Sequence, residues 1–136
     1  PKKILRELVA LPSVHPEADA VGTVPGEAAM AEPLAVTLHA TTRAGGMLGK
    51  RVLVTGCGPI GALLIAGLRR AGAARIVAVD LADGPLACAR EMGADETINL
   101  VNQPDALAAF APNKGTFDVM FEASGNDRVG IEAAAG

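Results

Sequence analysis

Three glycines with the spacing of a phosphate-binding turn are the residues of this sequence best suited to chemistry. Gly56, Gly58 and Gly61 follow the apolar run RVLVT and precede an apolar, helix-forming stretch. In a strand–loop–helix unit the first glycine makes the tight turn, the second lets the backbone approach a pyrophosphate, and the third lets the helix pack on the strand. The helix N–H groups and Pro59, which fixes φ at helix entry, complete the predicted pyrophosphate loop. A tight turn without a ligand is the alternative.

Asp80 supplies the second half of a dinucleotide-binding pattern. It ends the stretch VAVD, nineteen residues after Gly61. A carboxylate at this point can accept hydrogen bonds from both hydroxyls of an adenosine ribose, and it repels the extra phosphate of NADP. Residues 81–86 contain no Arg or Lys to receive that phosphate, so the sequence favours NAD. The alternative role for Asp80, starting the next turn, suits Asp83 better.

A second class of nucleotide-binding protein, the S-adenosylmethionine-dependent methyltransferases, shares this architecture. Those enzymes usually place an acidic residue two positions before the first glycine, where this chain has Val54, and they prefer a glycine where it has Ile60. Both departures disfavour a methyltransferase.

The segment after the last predicted strand is the remaining candidate for ligand contact. Ligands of open α/β sheets lie beyond the carboxyl ends of the strands, so Ala123, Ser124 and Gly125 are expected beside the cofactor. Ser124 is not predicted to be a nucleophile, because neither His15 nor His39 is arranged as an obvious partner.

The elements that must position these residues alternate between strand and helix. Residues 51–54, 75–79, 97–100 and 116–122 are predicted strands, and residues 27–43, 59–71, 85–92 and 104–110 are predicted helices. Further helices are expected over residues 1–12 and from residue 126 onward. This order predicts an α/β fold with an open, doubly wound parallel sheet of the Rossmann type, truncated after its fourth strand. Residues 1–25 are an unassigned leader or linker, and residues 26–136 form the partial NAD-binding domain.

Two details of these helices are also predicted. In the helix at residues 27–43, Met30, Leu34, Val36 and Leu38 are spaced for a buried side, and Pro33 either kinks the helix or marks its first turn. Asp83 is the expected cap of the helix at residues 85–92.

Composition excludes several other classes of function. The chain has 136 residues, a formal charge of −3, three Phe and no Trp or Tyr, which disfavours a nucleic-acid interface. No apolar run reaches the ~18 residues of a membrane span, and charges interrupt the N-terminal apolar stretch, so a cytoplasmic protein is expected. Cys57 and Cys88 form no ligand cluster and are interpreted as small, reduced residues.

Four segments resemble the coenzyme domain of the zinc-dependent medium-chain dehydrogenases. They are AAMAEPLAVTLHATTRAG (28–45), GKRVLVTGCGPIGALLIAGLRRAGAARIVAVDL (49–81), CAREMGADETINL (88–100) and FDVMFEASGN (117–126). The likeness is greatest to the polyol branch, which contains sorbitol, L-idonate 5- and threonine dehydrogenases. The resemblance implies NAD-linked oxidation of a secondary alcohol to a ketone, with zinc polarising the alcohol.

The resemblance also assigns roles to individual positions. Gly56, Gly58, Pro59, Ile60 and Gly61 match the pyrophosphate loop, and Asp80 matches the ribose-binding acid. Glu32 matches an acidic residue that faces the catalytic zinc and can approach or ligate it, and Val36 matches a position near the nicotinamide. Without the resemblance, Glu32 reads as a charge near a helix N-terminus.

The main zinc ligands of that family are absent from this sequence, which has no G-H-E segment and no structural cysteine lobe. The chain alone is therefore expected not to be catalytically competent, and a stand-alone dinucleotide-binding module is the alternative function. A sheet that stops at its fourth strand leaves an unpaired edge, so a homo-oligomer is expected through residues 119–121 unless residues 1–24 cover them. No nucleic-acid or membrane partner is predicted.

Overall fold

The computed structural model describes residues 25–111 and 115–125, and within them strands and helices alternate. In chain order the elements are α1 (Pro25–Arg43), β1 (Arg51–Thr55), α2 (Pro59–Arg70), β2 (Arg75–Asp80), α3 (Asp83–Met92), β3 (Glu96–Asn99), a 3-10 helix (Ala106–Phe110) and β4 (Val119–Glu122). The helices and strands predicted between residues 27 and 122 are thus confirmed, with shifts at their ends. The features expected at residues 1–24 and from residue 126 onward lie outside the described residues.

All pairings of the four described strands are parallel, and their order is β3-β2-β1-β4. The chain proceeds outward from β1 through β2 to β3 and then crosses back to place β4 on the other side of β1. Thr55 pairs with Val79 on one side and with Glu122 on the other. The carboxyl ends of β1, β2 and β4 therefore meet at a switch point of strand order, where ligands of Rossmann-like folds bind.

The sheet is buried on both faces, as parallel strands require. Val52 and Val54 of β1 pack into a core under the helices, with Leu64, Ile65 and Leu68 of α2. The intervening Leu53 points to the opposite face, where a smaller core lies beneath the 3-10 helix. This alternation holds the end of β1, and with it the glycine loop, in one position.

The predicted buried side of α1 is wrong at Leu34 and Leu38; Val36 is half-buried, and the side chain of Met30 lies outside what the structure describes. Leu34 and Leu38 are 44% and 53% exposed, whereas Thr37 and Ala40 are buried. Helix α1 packs against α2. Thr37 is accommodated there because its hydroxyl donates to the Leu34 carbonyl at 2.8 Å. Pro33 lies inside the helix, which begins at Pro25.

Two other expectations need correction. Asp83 is not the helix cap: Ala82 holds the N-cap position, and the Asp83 carboxylate instead accepts a bond of 2.7 Å from the Asn99 amide. The last strand begins at Val119 rather than at Thr116. The Thr116 N–H and hydroxyl both donate to the Phe110 carbonyl, at 2.9 and 3.1 Å, which holds this residue in a turn.

Arg69 ties the elements together at the end of the sheet away from the glycine loop. Its guanidinium donates to the Gly93 carbonyl, at 2.7 Å from Nη2, and to Asp95 Oδ2 at 2.5 Å. The same Asp95 oxygen accepts the Ile76 N–H at 2.7 Å. Burial acts to raise the pKa of Asp95, but the Ile76 N–H and Arg69 outweigh it and hold that pKa below its ordinary value.

Among the helices of the described part, none combines the length and the apolar character that crossing a bilayer demands.

Candidate functional site

Gly56 sits at the tightest point of the loop after β1. Its φ is +89°, a region that side chains disfavour. A Cβ on this residue would lie 2.3 Å from the Ser124 nitrogen and 2.7 Å from the Ala123 carbonyl carbon. The Gly56 N–H also donates to the Val79 carbonyl at 2.9 Å. The first glycine is therefore required by both backbone conformation and contact with the turn after β4.

The third and second glycines differ in what surrounds them. A Cβ on Gly61 would lie 1.9 Å from the Gly56 carbonyl oxygen, so this glycine permits the contact between α2 and the loop. A Cβ on Gly58 would meet no described atom within 4 Å, and its φ of −62° suits any residue. Packing of the described residues does not explain Gly58. The space beside its backbone is open, so a ligand could approach this backbone without meeting a described side chain.

The N-terminus of α2 opens onto the same space. Gly58 is its N-cap, without a side-chain capping bond, Pro59 begins the helix, and no acidic residue lies in the first turn. The first N–H groups of a helix have no partner inside it, and the helix dipole is positive at this end. Ile60, in this turn, is 43% exposed. The uncapped helix end and the open backbone at Gly58 together fit a phosphate group.

Asp80 is half-buried at the end of β2, and it binds the loop directly. Its Oδ2 accepts the Cys57 N–H at 2.7 Å, and its Oδ1 accepts the N–H groups of Leu81 and Ala82 at 2.7 and 3.1 Å. A carboxylate offers about four acceptor positions, so these bonds leave room for a further donor. The spacing predicted a carboxylate at the switch point; it did not predict that this carboxylate also holds the glycine loop.

Glu122 is a site residue that the sequence reading missed. It is 8% exposed at the end of β4. Its Oε2 accepts the Thr55 hydroxyl at 2.5 Å, and its Oε1 accepts both the N–H, at 2.7 Å, and the hydroxyl of Ser124. A carboxylate at the end of an apolar strand, directly before Ala-Ser-Gly, was the available signal.

The Cys57 thiol lies within the loop but is expected to be unreactive. The side chain is buried, and its Sγ contacts the Val79 carbonyl at 3.6 Å. Burial, with smaller contributions from the charges of Asp80 and Cys88, raises the pKa of Cys57 to about 12. A thiol that stays protonated at neutral pH is neither a good nucleophile nor a good metal ligand.

The structure brings Gly56, Gly61, Ala123 and Ser124 into direct contact, with Asp80 attached through the Cys57 N–H. Glu32 and Val36 are half-buried on α1, and His39 is exposed on the same helix. In residues 25–111 and 115–125, no group of three or more His, Cys, Asp or Glu side chains could hold a metal. The described residues fit a dinucleotide and do not provide a zinc site.

Comparison with known proteins agrees with this geometry. The profile of the zinc-binding dehydrogenases matches residues 59–134. The chain is 46% identical over 98 residues to L-idonate 5-dehydrogenase (NAD(P)(+)) of Escherichia coli, covering 72% of this chain and 28% of that protein. It is 46% identical over 84 residues to sorbitol dehydrogenase of Gallus gallus, covering 61% and 24%.

A solved structure shows the same fold. The crystal structure of L-idonate 5-dehydrogenase from Escherichia coli superposes with a TM-score of 0.71 at 42% identity, covering 79% of this chain and 31% of that one. The chain thus spans 24% to 31% of the length of these proteins.

Proposed function

The chain belongs to the zinc-binding dehydrogenase family, in its polyol branch, and on that premise we propose that residues 26–136 are its NAD-binding domain. The proposed whole-protein activity is that of an L-idonate 5-dehydrogenase- or sorbitol dehydrogenase-like enzyme, which oxidises a secondary alcohol to a ketone. Residues 1–25 are proposed to be a leader or linker outside this domain.

The observation that carries the proposal is the open backbone at Gly58, directly beside the uncapped N-terminus of α2. A pyrophosphate there would receive N–H bonds and the positive end of the helix dipole. No contact among the residues that the structure describes accounts for a glycine at that position. A bound ligand does, because it needs close approach to the backbone.

We assign the other parts of the cofactor to neighbouring residues. Asp80 would accept a hydrogen bond from a hydroxyl of the adenosine ribose. Its carboxylate has room for this bond beside the three that it accepts from backbone N–H groups. The segment 123–125 would lie beside the cofactor, and Val36 would lie near its nicotinamide ring. Bound NAD supplies the acceptor for the hydride that leaves the alcohol; these residues bind and orient it.

NAD is proposed over NADP because the carboxylate of Asp80 would repel a phosphate on the ribose. No Arg or Lys lies within residues 81–86 to offset that repulsion. The name of the Escherichia coli relative allows both cofactors, so direct comparison of the two is part of the test.

Zinc chemistry is not assigned to the described residues, because they contain no ligand set. Glu32 is proposed only to face a catalytic zinc held by other residues. A homo-oligomer, a small polyol as substrate and a cytoplasmic location also stay predictions.

Isothermal titration calorimetry with NAD tests the proposal. Gly58→Ala introduces a methyl group into the open space without backbone strain, and we expect it to weaken NAD binding at least tenfold. Gly67→Ala is the matched control. Gly67 lies within α2, and a Cβ there also meets no described atom within 4 Å, so this variant should leave the NAD affinity unchanged. An undetectable heat with the unsubstituted chain, or equal affinities of the two variants, would refute the proposed site. Tighter binding of NADP would refute the choice of cofactor.

A further inference from the structure

We propose that Glu122 is a positioning residue for dinucleotide binding, whose buried carboxylate fixes the turn after β4 against the glycine loop. The inference rests on the proposed function, because the loop that it shapes is the proposed pyrophosphate site. Glu122 itself is buried and acts through Ser124 and Gly56.

The first step is the attachment of the turn to the sheet. The Glu122 carboxylate accepts from Thr55, the last residue of β1, through one oxygen. Through the other oxygen it accepts both donors of Ser124. The Ala123 N–H adds a bond of 2.7 Å to the Thr55 carbonyl. One side chain therefore joins the end of β1 to the turn that follows β4.

The second step is the contact between that turn and the loop. A Cβ on Gly56 would lie 2.3 and 2.5 Å from the nitrogen and Cα of Ser124. The Ser124 backbone is thus the wall against which Gly56 is packed. Because Gly61 in turn packs on the Gly56 carbonyl, a shift of Ser124 would move both the loop and the start of α2.

The third step concerns why a carboxylate occupies this place. Burying a charge is unfavourable unless donors surround it, and an apolar side chain could fill the same volume without that penalty. An apolar side chain could not accept from Ser124, however, and the turn would lose the two bonds that the carboxylate makes to that residue. The presence of a carboxylate here is therefore explained by the three hydrogen-bond donors that it accepts from, two of which belong to the turn.

Geometry rather than charge should matter, and two substitutions separate the two effects. In Glu122→Gln the amide oxygen can keep both Ser124 donors, and the NH₂ group can donate to the Thr55 hydroxyl. That hydroxyl can then donate to the Phe121 carbonyl, already 3.3 Å away. Glu122→Met has similar length and no strong acceptor, so the two bonds from Ser124 to residue 122 are lost.

The experiment measures NAD affinity by calorimetry at a temperature where each variant is fully folded. We expect Glu122→Gln to bind within about threefold of the unsubstituted chain and Glu122→Met to bind at least tenfold more weakly. Arg69→Met is the control for a purely structural effect, because it breaks contacts at the other end of the sheet. It should lower the melting temperature and leave affinity unchanged.

A readout without ligand accompanies the titrations. In ¹H–¹⁵N spectra, the amides of Cys57 and Gly58 should shift in Glu122→Met and stay in place in Glu122→Gln and Arg69→Met. If the unsubstituted chain binds NAD, and Glu122→Met has the same NAD affinity and the same amide chemical shifts at Cys57 and Gly58, the inference is wrong. Equal weakening by Glu122→Met and Arg69→Met would also overturn it. No binding by the unsubstituted chain refutes the proposed function instead, and the spectra still decide whether Glu122 positions the loop.

Discussion

Replacing Asp80 with asparagine is expected to destabilise the chain even when no cofactor is present. The carboxylate accepts three backbone N–H groups, from Cys57, Leu81 and Ala82, at 2.7, 2.7 and 3.1 Å. Asparagine has one acceptor oxygen. In its better orientation it keeps the bonds to Leu81 and Ala82 and turns its NH₂ group toward the Cys57 N–H, so that two donors face each other.

The magnitude follows from these bonds. A buried N–H without a partner costs about 1–3 kcal/mol, and Cys57 is 2% exposed. The two retained bonds change from charge-assisted to neutral, a loss of roughly 0.5 kcal/mol each at this half-exposed site. The free energy of unfolding should therefore fall by about 2–4 kcal/mol, a lowering of the melting temperature by roughly 5–15 °C.

Urea unfolding of the ligand-free chain is the assay, with Asp83→Asn as the matched control. Asp83 is exposed and its carboxylate accepts from the Asn99 side chain, so this variant should lose less than about 1 kcal/mol. A midpoint for Asp80→Asn equal to that of Asp83→Asn would refute the conclusion that Asp80 holds the loop. A loss seen only in the presence of NAD would leave Asp80 with a ligand-binding role alone.

Three further outcomes are expected from the same contacts. Gly61→Ala should abolish NAD binding and lower stability by more than about 2 kcal/mol, measured by calorimetry and urea unfolding, because its Cβ would lie 1.9 Å from a backbone oxygen; a stable, binding-competent variant would contradict this. With a thiol reagent at pH 8, half-buried Cys88 should be labelled before Cys57, whose pKa is raised to about 12, as followed by peptide mass spectrometry; simultaneous labelling would count against a buried thiol. The pKa of Asp95 is lowered in the folded chain, so its carboxylate should contribute to folding stability above its unfolded pKa of about 3.9. That stability should be lost as the pH falls through the folded-state pKa. Asp95→Asn should therefore remove up to about 1 kcal/mol of stability at pH 7 and progressively less as the pH falls below about 4, and a loss that does not change with pH would refute it.

The sequence predicts the strand–helix order well because the relevant signals are local. β-branched runs, the glycines that end helices, and Pro59 at a helix start each act within a few residues. The proposed ligand residues Gly58 and Asp80 follow from a spacing that reflects one β-α-β unit. Fold class and the location of the glycine loop therefore follow from local sequence signals.

Features that depend on distant partners could not be predicted in this way. Glu122 gains its role from Thr55, which lies 67 residues earlier in the chain. Asp80 binds the Cys57 N–H across 23 residues. Helix α1 packs against α2 with Thr37 and Ala40 buried, and Leu34 and Leu38 are exposed despite their helical spacing. Hydrophobic periodicity identifies an amphipathic helix, but it does not show which of its residues the neighbouring helix will bury.

Mapping the NAD-binding surface by ¹H–¹⁵N spectroscopy tests the central claim most directly. On titration with NAD, the largest amide shifts should fall on residues 56–61, 80–82 and 123–125, which surround the switch point of the sheet. The amides of Arg69 and Asp95, at the opposite end, should stay in place. Shifts centred on that opposite end, or no saturable shifts at the glycine loop, would contradict the assignment of this domain as an NAD-binding unit.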